Sequence, residues 1–121
     1  MAIGRTIDNF KFYNGFEGET DVIFQSNITR FRVWEGYLDD IFAHPPLDGK
    51  GWSGLARDYN QMEGPFLNGL GEVDPKEYLD DLKTYTREQF DDPNDKELLF
   101  ELIGFFQSAV DHGKKIMIEV S

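Results

Sequence analysis

The chain has 121 residues, 40% of them hydrophobic, with 11 Phe, 5 Tyr, 2 Trp, no cysteine and a net charge of −11. That length fits one domain spanning residues 1–121, and that apolar content excludes a disordered chain despite the charge. The missing cysteines exclude disulfides, thiolate nucleophiles and Cys-ligated metal, and the acidic surface disfavours nucleic acid and anionic lipid while favouring basic partners.

The acidity is uneven. Residues 1–60 hold 9 acids and 6 bases, a net of −3, whereas residues 61–121 hold 14 acids and 6 bases, a net of −8. The first ten residues include Arg5 and Asp8 and lack a long apolar stretch, unlike a signal peptide. No apolar run approaches the roughly 20 residues of a membrane helix, so a cytoplasmic protein is expected.

Taken in order, Ile7–Tyr13 places Phe10 and Phe12 on one face of a half-buried strand, and Asn14-Gly15 signals a turn. Asp21–Gln25 reads as a second strand, and a hairpin joining the two is the simplest arrangement. Ile28, Phe31, Trp34, Leu38, Ile41 and Phe42 then follow at helical spacing, with Ser26-Asn27 as a cap. Gly36 weakens that helix, and a strand over Ile28–Trp34 followed by a helix over Glu35–Ala43 is the alternative. His44-Pro45-Pro46 ends the element.

Pro45–Gly71 contains half of the chain's glycines and reads as irregular, apart from a short helix over Ser53–Asn60. Its Trp52, Leu55, Tyr59, Phe66 and Leu67 predict a segment packed down rather than a loose linker. Asp74-Pro75 is a helix start, with Glu77 at the capping-box position. Tyr78, Leu79, Leu82, Tyr85 and Phe90 form the apolar side of that helix, and Asp80, Asp81, Lys83 and Glu88 belong to its solvated side. Asp91-Asp92-Pro93 ends it, and Asn94 or Asp95 caps the next.

The segment Asp95–Val120 is the densest apolar stretch. Its helix carries apolar residues around most of its circumference, so it is expected to be central. Gly104 in mid-helix predicts close approach by another element. Gly113 fits the helix stop, His112 suits the negative end of the helix dipole, and Ile116, Ile118 and Val120 alternate as a terminal strand. At a sheet edge that strand would be free to pair with a partner. The expected fold is α+β: three to four helices packed with a short three-stranded antiparallel sheet.

Chemical signatures are sparse. Asp40 and His44 stand four residues apart and, with Asp39, invite a divalent ion. A solvated helix end explains the same residues. The run Asp91, Asp92, Asn94, Asp95, Glu97 lacks the glycine and terminal glutamate of a calcium loop. No nucleophile elbow, phosphate loop or dinucleotide fingerprint occurs. Neither a catalytic residue, a metal ligand nor a cofactor is therefore assigned.

The stretches YLDDIFAHPPLDGKGWSGLARDYNQ and EVDPKEYLDDL resemble the CdiI-type immunity proteins of bacterial contact-dependent growth inhibition and polymorphic-toxin systems, over residues 37–110. The resemblance implies a non-enzymatic partner of a cognate toxin domain, blocking its active site or its access to substrate. A basic nuclease would suit an acidic inhibitor. The residues expected to meet the toxin are Asp39, Asp40, Asp80, Asp81, Asp91 and Asp92, with Trp52 and Tyr59 as aromatic anchors. A monomer or weak dimer is expected, without nucleic acid or membrane. The alternatives are a carboxylate-dependent metal enzyme using Asp39, Asp40 and His44, and an acidic adaptor or structural subunit.

Overall fold

The computed structural model describes residues 7–13, 15, 18–26, 29–43, 54–86, 88–90 and 92–120. In chain order these form β1 (Ile7–Phe12), β2 (Asp21–Ser26), β3 (Thr29–Trp34), α1 (Glu35–Phe42), α2 (Gly54–Gln61), the single turn α3 (Pro65–Asn68), β4 (Leu70–Val73), α4 (Pro75–Thr84), α5 (Pro93–Asp111) and β5 (Ile116–Val120). The strands make one sheet in the order β1-β3-β2-β5-β4. Only β1 runs parallel to its neighbour; the other pairings are antiparallel. The α+β class holds, but with five strands rather than three.

Two local expectations change with that topology. The hairpin is β2–β3, with Phe24 opposite Phe31 and Val22 opposite Val33, and β1 adds to β3 in parallel instead of pairing with β2. Of the two readings of Ile28–Ala43, the strand followed by a helix holds, and the single helix with a Ser26-Asn27 cap does not. Thr29, Phe31 and Val33 alternate with Arg30 and Arg32 across the pleat, and the chain turns helical only at Glu35. Gly36 explains the break: a Cβ there would lie 2.3 Å from the Trp34 indole, which folds back over it. That indole meets Tyr37 edge-on, at 5.3 Å between centroids.

The helices lie against the face carrying Val22, Phe24, Phe31, Val33, Ile116 and Ile118, all buried. Phe106 of α5 meets Phe24 edge-on at 5.8 Å, and Phe105 meets Phe31 at 5.9 Å. Phe24 and Phe106, both fully buried, contribute about 1.5–3 kcal/mol each. Alpha5 turns Leu98, Leu99, Leu102, Phe106 and Ala109 inward and packs chiefly on α4 and α1. Its outer side is open. Phe100 is 50% exposed, and a Cβ at Gly104 would meet nothing within 4 Å, so no described element presses on that glycine.

The caps follow local chemistry. Asp74 accepts from the Lys76 amide at 3.0 Å ahead of Pro75, but Glu77 pairs with Arg57 at 2.9 Å. Asp92, not Asn94 or Asp95, caps α5 by accepting from the Asn94 amide at 2.9 Å, and Pro93 opens the helix rather than ending the previous one. At the other end His112 Nδ1 lies 2.8 Å from the Ser108 carbonyl, and Gly113 takes a φ of +65°. Beta5 is an interior strand between β2 and β4. Among the described strands the edges are β1 and β4, and β4 emerges from the segment expected to be irregular.

Candidate acidic binding groove

Alpha1 runs from the end of β3 across the N-terminal end of α5. Its Leu38, Ile41 and Phe42 are buried, which forces the intervening Asp39 and Asp40 outward. Asp92 arrives beside them because it caps α5, and Asp95 follows in the first turn, where a carboxylate is stabilised by the helix dipole. Together with Ala43, Gln89 and Phe90 these residues line a groove of about 560 Å³. Its described lining holds four carboxylates and no cation. Asp95 is 2% exposed, whereas Asp39 and Asp40 are open to solvent.

The surrounding groups register this negative field. The Tyr37 hydroxyl is pushed upward in pKa, first by burial and then by Asp92; a hydrogen bond with Asn94 opposes this, while Asp95 and Asp40 add to it. Glu35 is held above its ordinary carboxylate value by burial and by Asp39, one turn further along the helix. Tyr59 reaches across from α2 and donates its hydroxyl to Asp39. Its ring is fixed edge-on to Phe66 at 5.4 Å and tilted against Phe42 at 6.4 Å. Burial, the bond to Asp39 and the nearby Glu35 all disfavour its tyrosinate. Tyr59 therefore positions Asp39 at the rim.

Of the eight residues singled out from the sequence, Asp39, Asp40 and Asp92 converge on the groove, and Tyr59 joins them through Asp39. Asp80 stands apart on α4, paired with Lys76 at 2.7 Å. Asp81 does not belong to a solvated face. It is 5% exposed and accepts from the Ala56 amide at 2.9 Å, closing the first turn of α2 from the neighbouring helix. A buried carboxylate committed to a backbone donor is unavailable to a partner. Trp52, Asp91 and His44 lie outside the described residues.

Sequence reading missed Asp95 and Phe90. From spacing alone Asp95 is one of two candidate caps for α5, a role that Asp92 holds, and Phe90 extends the apolar face of α4. Among the described residues no three His, Asp or Glu side chains are arranged to hold a metal ion. Likewise, no described helix is long and apolar enough to cross a membrane.

A second polar cluster joins α2 to α4. Arg57 pairs with Asp58 at 3.2 Å and Glu77 at 2.9 Å, and Tyr78 donates to Asp58 at 2.5 Å. Asp58 and Tyr78 are both buried, so this cluster is a structural tie between helices. At the far end of α5 lie His112, Lys114 and Lys115, about 28 Å from Asp92 by the 1.5 Å rise of 19 residues. Acidic groups thus gather at one end of the longest helix and basic groups at the other. No protein-family model, characterised protein or solved structure matches the chain.

Proposed function

We propose that the chain is a non-enzymatic immunity protein of the CdiI type, acting in the cytoplasm as a monomer or weak dimer. It binds a basic toxin domain, a nuclease being the chemistry that fits best, and blocks its active site or access to substrate. The observation that carries this reading is the groove between α1 and α5, lined by Asp39, Asp40, Asp92 and Asp95 together with Phe90. A lining that combines Phe90 with the exposed Asp39 and Asp40 suits a lysine or arginine side chain, whose apolar stem packs while its charged head is paired. The net charge of −11 speeds encounter with a cationic surface.

The neighbouring reading frame should encode a basic toxin domain, and the absence of one would sink the proposal; with that domain in hand, binding is measured directly. The association rate should fall by an order of magnitude or more between low and near-molar salt. Changing Asp39, Asp40 and Asp92 together to Asn should slow association by a similar factor and weaken protection in cells. A salt-independent association rate, or full protection by the triple variant, would overturn the proposal.

A further inference from the structure

An edge of the sheet carries a second feature that speaks of partners. Beta4 is an edge strand: β5 pairs with one side of it, and among the described residues nothing pairs with the other. The bond from the Val120 amide to the Gly69 carbonyl, at 2.9 Å, sets the phase of the ladder. Gly71 and Val73, opposite Ile118 and Ile116, therefore turn their backbone groups toward β5. The amides and carbonyls of Leu70 and Glu72 point away from the sheet.

Natural edges are usually blunted with lysine, proline or a bulge. Beta4 has none of these; its sequence is Leu-Gly-Glu-Val and its pairing with β5 runs without a register shift. The edge is instead apolar and acidic. Leu70 is 55% exposed, and Leu67, in the turn just before the strand, is 66% exposed. On the sheet face turned away from the core, Leu70 stands opposite Glu119 and Glu72 opposite Met117, which is also exposed.

We infer that β4 is a docking edge for an extended segment of a basic partner, which adds a sixth strand beyond Leu70–Val73. Backbone bonds to Leu70 and Glu72 supply the pairing. The occupant's side chains alternate between the two faces: lysine or arginine on the outer face meets Glu72 and Glu119 and lays its stem over Leu70, and apolar groups on the helical face lie beside Val73 and Leu67. A second copy of this chain would set Glu72 against an identical acidic edge, and two chains of −11 repel. The occupant is therefore foreign and cationic. This inference rests on the reading of the chain as a binder of basic proteins, and it adds a second contact distinct from the groove.

The probe is a synthetic Lys-Val-Lys-Val-Lys-Val peptide with blocked ends, titrated into isotopically labelled protein at low salt. Amide shifts should move at residues 69–73 and 117–119. A peptide N-methylated on the alternate amides that would face β4 should bind at least tenfold more weakly. Glu72→Pro removes an outward amide without touching the bonds to β5, and should have the same effect. Asp39→Asn/Asp40→Asn/Asp92→Asn should leave binding at β4 intact, so failure at the edge and failure at the groove are distinguishable. Three results would overturn the inference: shifts confined to residues 89–95, equal binding of the N-methylated peptide, or a dimer that forms through β4 and excludes the peptide.

Discussion

Gly54 and Gly104 make opposite demands on the residue at their positions. Gly54 opens α2 with a φ of +52°, and a Cβ there would come within 2.7 Å of Asp81 Cβ and 2.8 Å of the Glu77 carbonyl. The absence of a side chain lets α2 settle onto α4 closely enough for Asp81 to receive the Ala56 amide. Gly54→Ala adds left-handed strain and a collision with backbone, together about 2–4 kcal/mol of lost stability. Among the described residues nothing lies within reach of a Cβ at Gly104. Gly104→Ala should therefore stabilise the protein by about 1 kcal/mol, through helix propensity and a less flexible unfolded chain. Urea midpoints measure both. A destabilised Gly104→Ala would mean that something does cover that side of α5.

The elements differ in how much of them a linear reading reveals. The start of α4 and the stop of α5 were legible because Asp-Pro and His-Gly act through neighbours two to four residues away. Beta4 was not: half of its residues are exposed, it spans only four positions, and its identity depends on β5 more than 40 residues later. The burial of Asp81 was invisible for the same reason, since its donor belongs to another helix. In the groove, Asp39 and Asp40 were legible from their charge and spacing, whereas the inclusion of Asp95 and Phe90 depended on how α1 crosses α5. Asp92 joins the two levels, because it caps α5 and charges the groove. Substitutions separate those roles. Asp92→Ala should lower stability by about 1 kcal/mol, whereas Asp92→Asn, an equally good cap, should leave it nearly unchanged. Both should slow association with a basic partner to the same extent. If Asp92→Asn destabilises as much as Asp92→Ala, the cap is not what the residue contributes to the helix.

For the molecule as a whole, the helical layer is held to itself by hydroxyls and carboxylates out of water, and this makes stability fall in alkali. Tyr78 is 2% exposed, lies against Phe106 and donates to the buried Asp58. Burial first, then the bond to Asp58 and its charge, raise the Tyr78 pKa well above the ordinary value of 10.0. Below about pH 10 the folded and unfolded chains both keep this proton, and the stabilisation is fully present. Above it the unfolded chain releases a proton that the folded chain retains. Stability then falls by about 1.4 kcal/mol per pH unit for this one group until the folded hydroxyl itself ionises. Tyr59 is shifted in the same direction and steepens the fall. Lysine deprotonation and general repulsion act in the same range, so the comparison that isolates Tyr78 is with Tyr78→Phe. The variant should start about 1–3 kcal/mol less stable near pH 8, because Asp58 loses a donor. Its stability should then decline less steeply above pH 10, by one proton in the slope of stability against pH. Parallel slopes for the two proteins between pH 10 and 11 would show that Tyr78 ionises in the folded state as readily as in the unfolded one, and that the tie to Asp58 is open to water.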